Sequence, residues 1–499
     1  MQQQTITVEN HLINKVQQAM QQAHLTLDER CQRFNANYPD YASTTSIDEL
    51  RQTDYARLDD LGHTYLDYTG GGLYGESQLQ QHMHLLTKNV YGNPHSLNPT
   101  SLASTEITES ARRYVLTYLN ADPDEYVVIF TANASASLKL VGEAYPFDDK
   151  GQYLLTFDNH NSVNGIREFA RNAGATVTYN PIHADTLRLD EVALQQNLEN
   201  AIPDGNNLFA YPAQSNFSGI QHDLSWIAKA QALGWAVLLD AAAFLPTNQL
   251  DLSQHQPDFV TLSFYKMFGY PTGLGALIAK RSVLEKLCRP WFAGGTISVA
   301  TVQGDGHYLH DNEAGYEDGT INYLGIPAVE IGLRHMEAID VNLLHDRLMM
   351  LTDYLLDELT QLRHDNGQPL VHIYGDVTSE QRGATLALNF YDADGTVFDY
   401  RLVEALANEV NISLRTGCFC NPGAGEVAHN ISATRLQECF RSTALSFERL
   451  ASQLLHNGDT DVVGAVRISL GIVSNFDDVH RFIEFTKIFL NEQSTGITL

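Results

Sequence analysis

Phe259-Val-Thr-Leu-Ser263-Phe-Tyr265-Lys266-Met-Phe-Gly-Tyr-Pro271-Thr-Gly-Leu-Gly275 is the stretch on which the fold reading turns. It opens with an apolar, strand-forming run. A lysine follows just past the end of that run, among aromatic residues and glycines. A lysine amine in such surroundings is desolvated and loses basicity, which is what Schiff-base chemistry needs. The plainer alternative is a lysine whose stem is buried and whose head reaches solvent. The flanking Ser263, Tyr265 and Pro-Thr-Gly-x-Gly make the run more specific than a lone lysine.

Runs of the same texture lie on either side: Tyr126–Phe130, Tyr153–Phe157, Leu208–Tyr211, Ala236–Leu239 and Ala276–Ala279. Runs this apolar suit strands buried on both faces of a mainly parallel sheet. Helical stretches alternate with them, so an α/β layered domain is expected over 61–325. From Gly325 a long helical stretch runs past Leu348. Strand-like runs at Val371–Tyr374 and Thr385–Asn389 and a helix around Val403–Val410 then suggest a smaller α+β domain over 326–499. Residues 1–60 are polar and Gln-rich. Leu12, Ile13, Val16, Met20 and Ala23 recur at helical spacing there.

The chain has 499 residues, 43% of them hydrophobic and 18% charged, so it has ample material for a large core. Net charge is −29 and no basic run occurs, which argues against nucleic acid and anionic membrane surfaces as partners. No apolar stretch approaches the ~20 residues that span a bilayer. Met1–Val8 lacks a secretory pattern, so a cytoplasmic location is expected. Five cysteines, Cys31, Cys288, Cys418, Cys420 and Cys439, do not form a disulfide framework. Cys418-Phe-Cys420 lacks zinc-finger spacing. His307-x-x-His310 with Glu313, like His82 and His84, reads as polar surface, and no metal is expected.

Ligands of open α/β sheets bind beyond the carboxyl ends of the strands. Three further strand ends and loops therefore matter. Phe130-Thr-Ala-Asn-Ala-Ser135-Ala-Ser leaves a strand and opens a helix. Its small residues let backbone N–H groups approach an anion, although a simple tight connection looks the same. Asp240 ends an apolar run before Ala-Ala-Ala. A carboxylate there suits a pyridinium nitrogen, or equally a helix N-cap. Arg415-Thr-Gly-Cys418-Phe-Cys420-Asn-Pro422-Gly-Ala-Gly425 reads as a mobile Gly/Pro loop. Its thiols beside an arginine fit a nucleophile favoured as thiolate; inert small residues are the alternative.

Taken together these runs resemble the fold-type-I pyridoxal 5′-phosphate (PLP) enzymes of the class V aminotransferase group, in their cysteine desulfurase branch. Within it they are similar to the N-terminal PLP domain of molybdenum cofactor sulfurases. Tyr65-Leu-Asp-Tyr-Thr-Gly-Gly, Tyr91-Gly-Asn-Pro-His-Ser96, Pro212-Ala-Gln-Ser-Asn216-Phe-Ser-Gly219 and Glu317-Asp-Gly-Thr320 complete the resemblance. It spans about residues 60 to 490 and implies a large domain with a mainly parallel seven-stranded sheet. It implies that Lys266 carries PLP as a Schiff base, Asp240 partners the ring nitrogen, Asn216 contacts the ring hydroxyl and His160 stacks on the ring. Ala134, Ser135, Ser263 and Tyr265 fall at phosphate-cup positions. Thr320 matches a residue that reaches the neighbouring subunit's phosphate, which implies a homodimer. Arg467, assisted by Arg415, resembles the clamp for the substrate carboxylate. Cys420 lies at the nucleophile position and Cys418 beside it.

The implied activity is transfer of sulfur from L-cysteine to Cys420 as a persulfide, with release of alanine and onward passage to an acceptor thiol or small molecule. Three departures qualify it. The chain ends at Leu499, where molybdenum cofactor sulfurases continue into a further domain. Gly425 stands where sulfurases often have a cysteine, and Ala243 where many desulfurases have a glutamine. A β-lyase, epimerase or aminotransferase, or a PLP-fold protein kept for binding, are the competing expectations. The stretch between Cys420 and Arg467 is long enough to add an element near the site.

Overall fold

The computed structural model describes residues 10–440, 447–456 and 463–494. Met1–Val8, and part of the stretch before Arg467, lie outside the described residues.

Helix α1, Asn10–Asn37, buries Leu12, Val16 and Ala23 of the predicted stripe, leaves Ile13 and Met20 half-buried, and buries Phe34 beyond it. It does not stand apart. The Phe34 ring centroid lies 4.8 Å from that of Phe476, and His480 Nε2 lies 3.1 Å from the Ala23 carbonyl oxygen. Arg51, itself buried, donates to Asp59 and to Asp478. Residues near both ends of the chain thus share one packed face.

The large sheet has strands β1 (Tyr126–Thr131), β2 (Gln152–Thr156), β3 (Thr176–Asn180), β4 (Asn207–Pro212), β5 (Ala236–Asp240), β6 (Phe259–Ser263) and β7 (Gly275–Lys280). Their order is β1-β7-β6-β5-β4-β2-β3. From β6 to β3 all pairings are parallel, and β7 runs antiparallel to β1 and β6. β4 and β6 are buried at every position, as the apolar runs require. The register sets the site: Thr131 and Ser263 both pair with Gly275, and Pro212 pairs with Asp240. The carboxyl ends of β1, β4, β5 and β6 therefore lie along one edge. Helix α2, Ala134–Ala144, starts at that edge and the short α3, Phe264–Phe268, follows β6 there.

The single long helix expected from Gly325 is two, α4 (Pro327–Ile339) and α5 (Val341–Gln361). Asp340 breaks it. Its φ is +66°, and its Oδ1 accepts from the Asn342 N–H at 3.0 Å, capping α5. The small sheet holds β8 (Val371–Tyr374), β9 (Thr385–Phe390), β10 (Arg415–Gly417) and β11 (Ala465–Ser469), in the antiparallel order β8-β9-β11-β10. Register again matters. Arg415 pairs with Arg467, and Asp67 bridges to Ser469 at the end of β11. Helix α6, Pro422–Ala428, follows β10, and α7, Phe476–Thr486, ends the small sheet's layer.

Candidate active site

A cavity of about 410 Å³ opens at the carboxyl edge of the large sheet. Lys266, Asp240, Asn216, His160, Ala134, Ser135, Ser263 and Tyr265 all line it. These residues come from five separate chain segments, each placed by a strand end. Gln214, Asn133 and Thr272 also line it and carry no expectation from sequence.

Burial and the Arg467 charge push the Lys266 amine below the ordinary lysine value, while Asp240, Cys420 and Asp67 pull it back up. Asp240 caps a turn, and no helix starts there. Its Oδ1 accepts from the Ala242 N–H at 3.0 Å. Among the described residues nothing donates to its Oδ2, although the residue is buried. His160 accepts from the Ser162 N–H at 3.1 Å through Nδ1, which leaves the proton on Nε2. Burial lowers its pKa, which favours the neutral ring.

Asn133 caps α2, with Oδ1 accepting from the Ala136 N–H at 2.9 Å. The Ser263 Oγ accepts from the Ala134 N–H at 3.1 Å, joining the α2 start to the end of β6. A Cβ on Gly275 would lie 2.6 Å from the Asn133 carbonyl carbon, so glycine is required for this approach. Ser135 is exposed at the mouth, its Oγ 2.6 Å from that of Ser162.

Thr320 is not in this cavity. It lines a neighbouring one of about 330 Å³ that shares Ala132 and Gly273 with it. Arg467, Arg415 and Cys420 are absent from the lining too; Arg467 meets it at the Asn216 carbonyl, Arg415 is joined to Arg467 by Asp67, and Cys420 follows Phe419, whose carbonyl takes the Asn216 side chain. Arg467 is buried; its Nη1 donates to the Asn216 carbonyl oxygen at 2.9 Å and its Nη2 to Asp67 Oδ1 at 3.0 Å. Arg415 donates to Asp67 Oδ2 from Nε at 3.0 Å and Nη2 at 2.6 Å. Asp67 lies in the Tyr65-Leu-Asp-Tyr-Thr-Gly-Gly run, which by itself assigns it no role. It holds both guanidinium groups, so two cations share one carboxylate and one positive charge is left over. Burial lowers the Arg467 pKa, Asp67 opposes this without cancelling it, and among the described residues the buried Nε of Arg467 has no partner.

The stretch expected as a Gly/Pro loop is regular at both ends, with Arg415–Gly417 in β10 and Pro422–Ala428 in α6, so that the turn is confined to 418–421. Pro422 stands in the first turn of α6, where its missing N–H costs nothing. A Cβ on Gly423 would lie 1.9 Å from the Phe157 carbonyl oxygen, so that glycine serves close packing. Phe419 and Cys420 sit at φ of +54° and +55°. Their carbonyl oxygens accept from Asn216 Nδ2 at 2.7 Å and from the Asn161 N–H at 2.8 Å. Cys420 is exposed, whereas Cys418 is half-buried and burial pushes its thiol pKa up. A Cβ at Gly425 meets only Phe217, at 3.9 Å, so the departure there reflects no lack of room.

Residues 64–482 match the family described as "Aminotransferase class-V". The chain belongs to that family. It is 37% identical over 484 residues to a molybdenum cofactor sulfurase of Solanum lycopersicum, which covers 91% of this chain and 58% of the relative. The chain thus spans somewhat over half the length of the curated relatives it matches. Among solved structures, a cysteine desulfurase from Thermococcus onnurineus NA1 superposes with a TM-score of 0.70 at 20% identity, covering 87% of this chain and 96% of that one. A C-DES mutant with glycine covalently linked to its PLP cofactor gives a TM-score of 0.63 at 16% identity, covering 87% and 97%. These two likenesses are of fold, the fold-type-I α/β architecture.

Among the described residues no cluster of three or more His, Cys, Asp or Glu is placed to hold a metal ion, and no helix is long and apolar enough to cross a membrane. His82, read as polar surface, is buried and bridges the Tyr270 hydroxyl at 2.8 Å and the Leu324 carbonyl at 2.7 Å.

Proposed function

We propose that this chain takes sulfur from L-cysteine onto Cys420 and releases alanine, using PLP held at Lys266. The observation that carries the reading is Asn216. It lines the Lys266 cavity, and the same side chain holds the loop that presents Cys420.

The residues present fit PLP. Lys266 would hold its aldehyde, Asp240 its ring nitrogen through the undonated Oδ2, His160 its ring face, and Ala134 and Ser135 at the start of α2, with Ser263 and Tyr265 at the end of β6 and in α3, its phosphate. When bound, PLP supplies a carbonyl for the substrate amine and a ring that draws electrons from Cα. The protein's own groups do the rest. Lys266, depressed by burial, moves the proton at Cα. Arg467 and Arg415, one charge in excess over Asp67, bind the substrate carboxylate. The Cys420 thiolate attacks the substrate sulfur; the S–S bond forms as the Cβ–S bond breaks. The electron pair stays with Cβ, which takes up a proton, so the substrate leaves as alanine.

The resulting persulfide would pass to an acceptor thiol or small molecule. Cys31, Cys288, Cys418 and Cys420 are all unpaired, which suits a reducing cytoplasm. A homodimer fits the exposed Thr320 cavity beside the site and the exposed Trp291, Phe292, Val302 and Tyr308 nearby in sequence. The test is Cys420→Ala. The PLP-loaded variant should keep its yellow colour and bind L-cysteine but release no sulfide beyond the free cofactor's background. Sulfide release equal to the parent's would sink the persulfide reading.

A further inference from the structure

Asn421 follows the Cys420 thiol directly and is fully buried. Its Nδ2 donates to the Asp158 carbonyl oxygen at 2.7 Å and to Asn216 Oδ1 at 2.9 Å. Its Oδ1 accepts from the Ala424 N–H at 3.2 Å, capping α6. One of these oxygens belongs to Asn216, which lines the Lys266 cavity, and the other to the segment that leads into His160, which lines it too. Asp158 is two residues before His160 and is anchored by His222, whose Nε2 lies 2.7 Å from Asp158 Oδ2. Asn216 is itself a lining residue, and its own Nδ2 returns to the Phe419 carbonyl oxygen at 2.7 Å. The amide of Asn216 is thus oriented by Asn421: its oxygen must face the Asn421 donor for its nitrogen to face Phe419.

This orientation matters because Phe419 and Cys420 occupy the left-handed region, at φ of +54° and +55°. Two consecutive non-glycine residues there are costly and persist only where the surroundings fix them. The fixing bonds are those from Asn216 to Phe419, from Asn161 to Cys420, and from Asn421 on either side of them. Without them the chain between β10 and α6 relaxes toward ordinary backbone and re-aims the thiol.

We propose that Asn421 is a positioning residue for sulfur transfer: through Asn216 and Asp158 it locks the strained Phe419-Cys420 pair against the cavity and so sets where the thiol stands. The inference rests on the reading of Cys420 as nucleophile. It goes beyond capping, which α6 needs in any case.

Two substitutions separate the lock from the cap. Asn421→Ser and Asn421→Asp both keep a good N-cap oxygen. Serine is too short to reach Asp158 and Asn216, and aspartate has no donor to give them. Each loses two buried hydrogen bonds, and every 1.4 kcal/mol lost is a factor of ten. In the full-length, PLP-loaded protein, kcat for sulfide release should fall about tenfold or more in both variants. Affinity for L-alanine, read from the cofactor absorbance, should stay within about twofold, because Asn421 does not itself line the cavity and Arg467 holds the Asn216 backbone in either variant. Carbamidomethylation of Cys420 by iodoacetamide, followed by peptide mass spectrometry in PLP-free protein, should be several-fold faster as the loop opens.

Wild-type sulfide release and wild-type alkylation in both variants would overturn the inference, leaving Asn421 a cap. Equal loss of sulfide release and of L-alanine affinity would also overturn it, because the effect would then lie in the cavity. Cys420→Ala, run in parallel, separates the premise. If it is inactive while the Asn421 variants are normal, only the lock fails. If it releases sulfide normally, the nucleophile reading fails and takes the lock with it.

Discussion

The cavity around Lys266 is built by backbone regularity, whereas the Cys420 loop is built by side chains. Strand register alone delivers Ser263, Asp240 and the start of α2 to one edge, and hydrogen bonds within the sheet hold them there. The loop has no such frame. It depends on the side chains of Asn216 and Asn421, with one backbone bond from the Asn161 N–H, to keep Phe419 and Cys420 in a left-handed conformation. The cavity is therefore robust to changes at its rim, and the loop is sensitive to single hydrogen bonds. Changes in the cavity should abolish binding and chemistry together, while changes in the loop should spare binding and remove sulfur transfer.

The largest effect should come from Lys266→Ala. General-base contributions are about 10²–10⁴-fold, and the lysine also holds the cofactor. Sulfide release should fall by at least that factor, and the visible absorbance should shift as PLP is no longer covalently held. A variant with an unchanged spectrum would break the comparison at its stronger end.

A smaller effect is expected between the two regions, where Asp67 joins Arg467 and Arg415. Arg467→Lys loses the planar fork that contacts Asp67 and Asn216 together, and KM for L-cysteine should rise about tenfold to a hundredfold. Asp67→Asn leaves a buried guanidinium without its anion, and KM should rise about tenfold with a lesser change in kcat. Steady-state kinetics of both variants decide the matter. A loss confined to kcat would place these residues with the thiol and not with the substrate carboxylate.

The smallest effect concerns stability. His429 lies at the end of α6, and burial beside His372 lowers its pKa to about 4. An unfolded histidine titrates near 6.5, so the unfolded chain binds more protons in between. Stability is fully present above pH 6.5 and is lost as pH falls toward 4, by about 2 kcal/mol between pH 7 and pH 5. His429→Phe should shrink that difference in denaturant melts at the two pH values. An unchanged difference would assign the acid sensitivity to His160, His335 or His480, whose pKa values burial also lowers.

The same contrast explains what the sequence revealed. Lys266, Asp240 and Ser135 stand next to apolar strands, so their positions could be read from local pattern. The strand β3, Thr176–Asn180, was missed because it lies at the sheet edge, half-exposed and polar. Asp67 could not be assigned a role, since its partners lie 348 and 400 residues away. Asn421 gave a signal that was passed over: an asparagine before a proline is a helix start, and the glycines around it suggested a mobile loop instead. Only Phe157, packed against Gly423, shows why that glycine is there.

The central claim is that the lysine cavity and the thiol loop act on one substrate molecule. The direct measurement is peptide mapping after brief incubation of the PLP-loaded protein with sulfur-labelled L-cysteine and trapping of persulfides. The account predicts label on the peptide carrying Cys420, one alanine released per label, and no label in Lys266→Ala. Label on Cys418 or Cys439 instead, or alanine formed with Cys420 unlabelled, would contradict it.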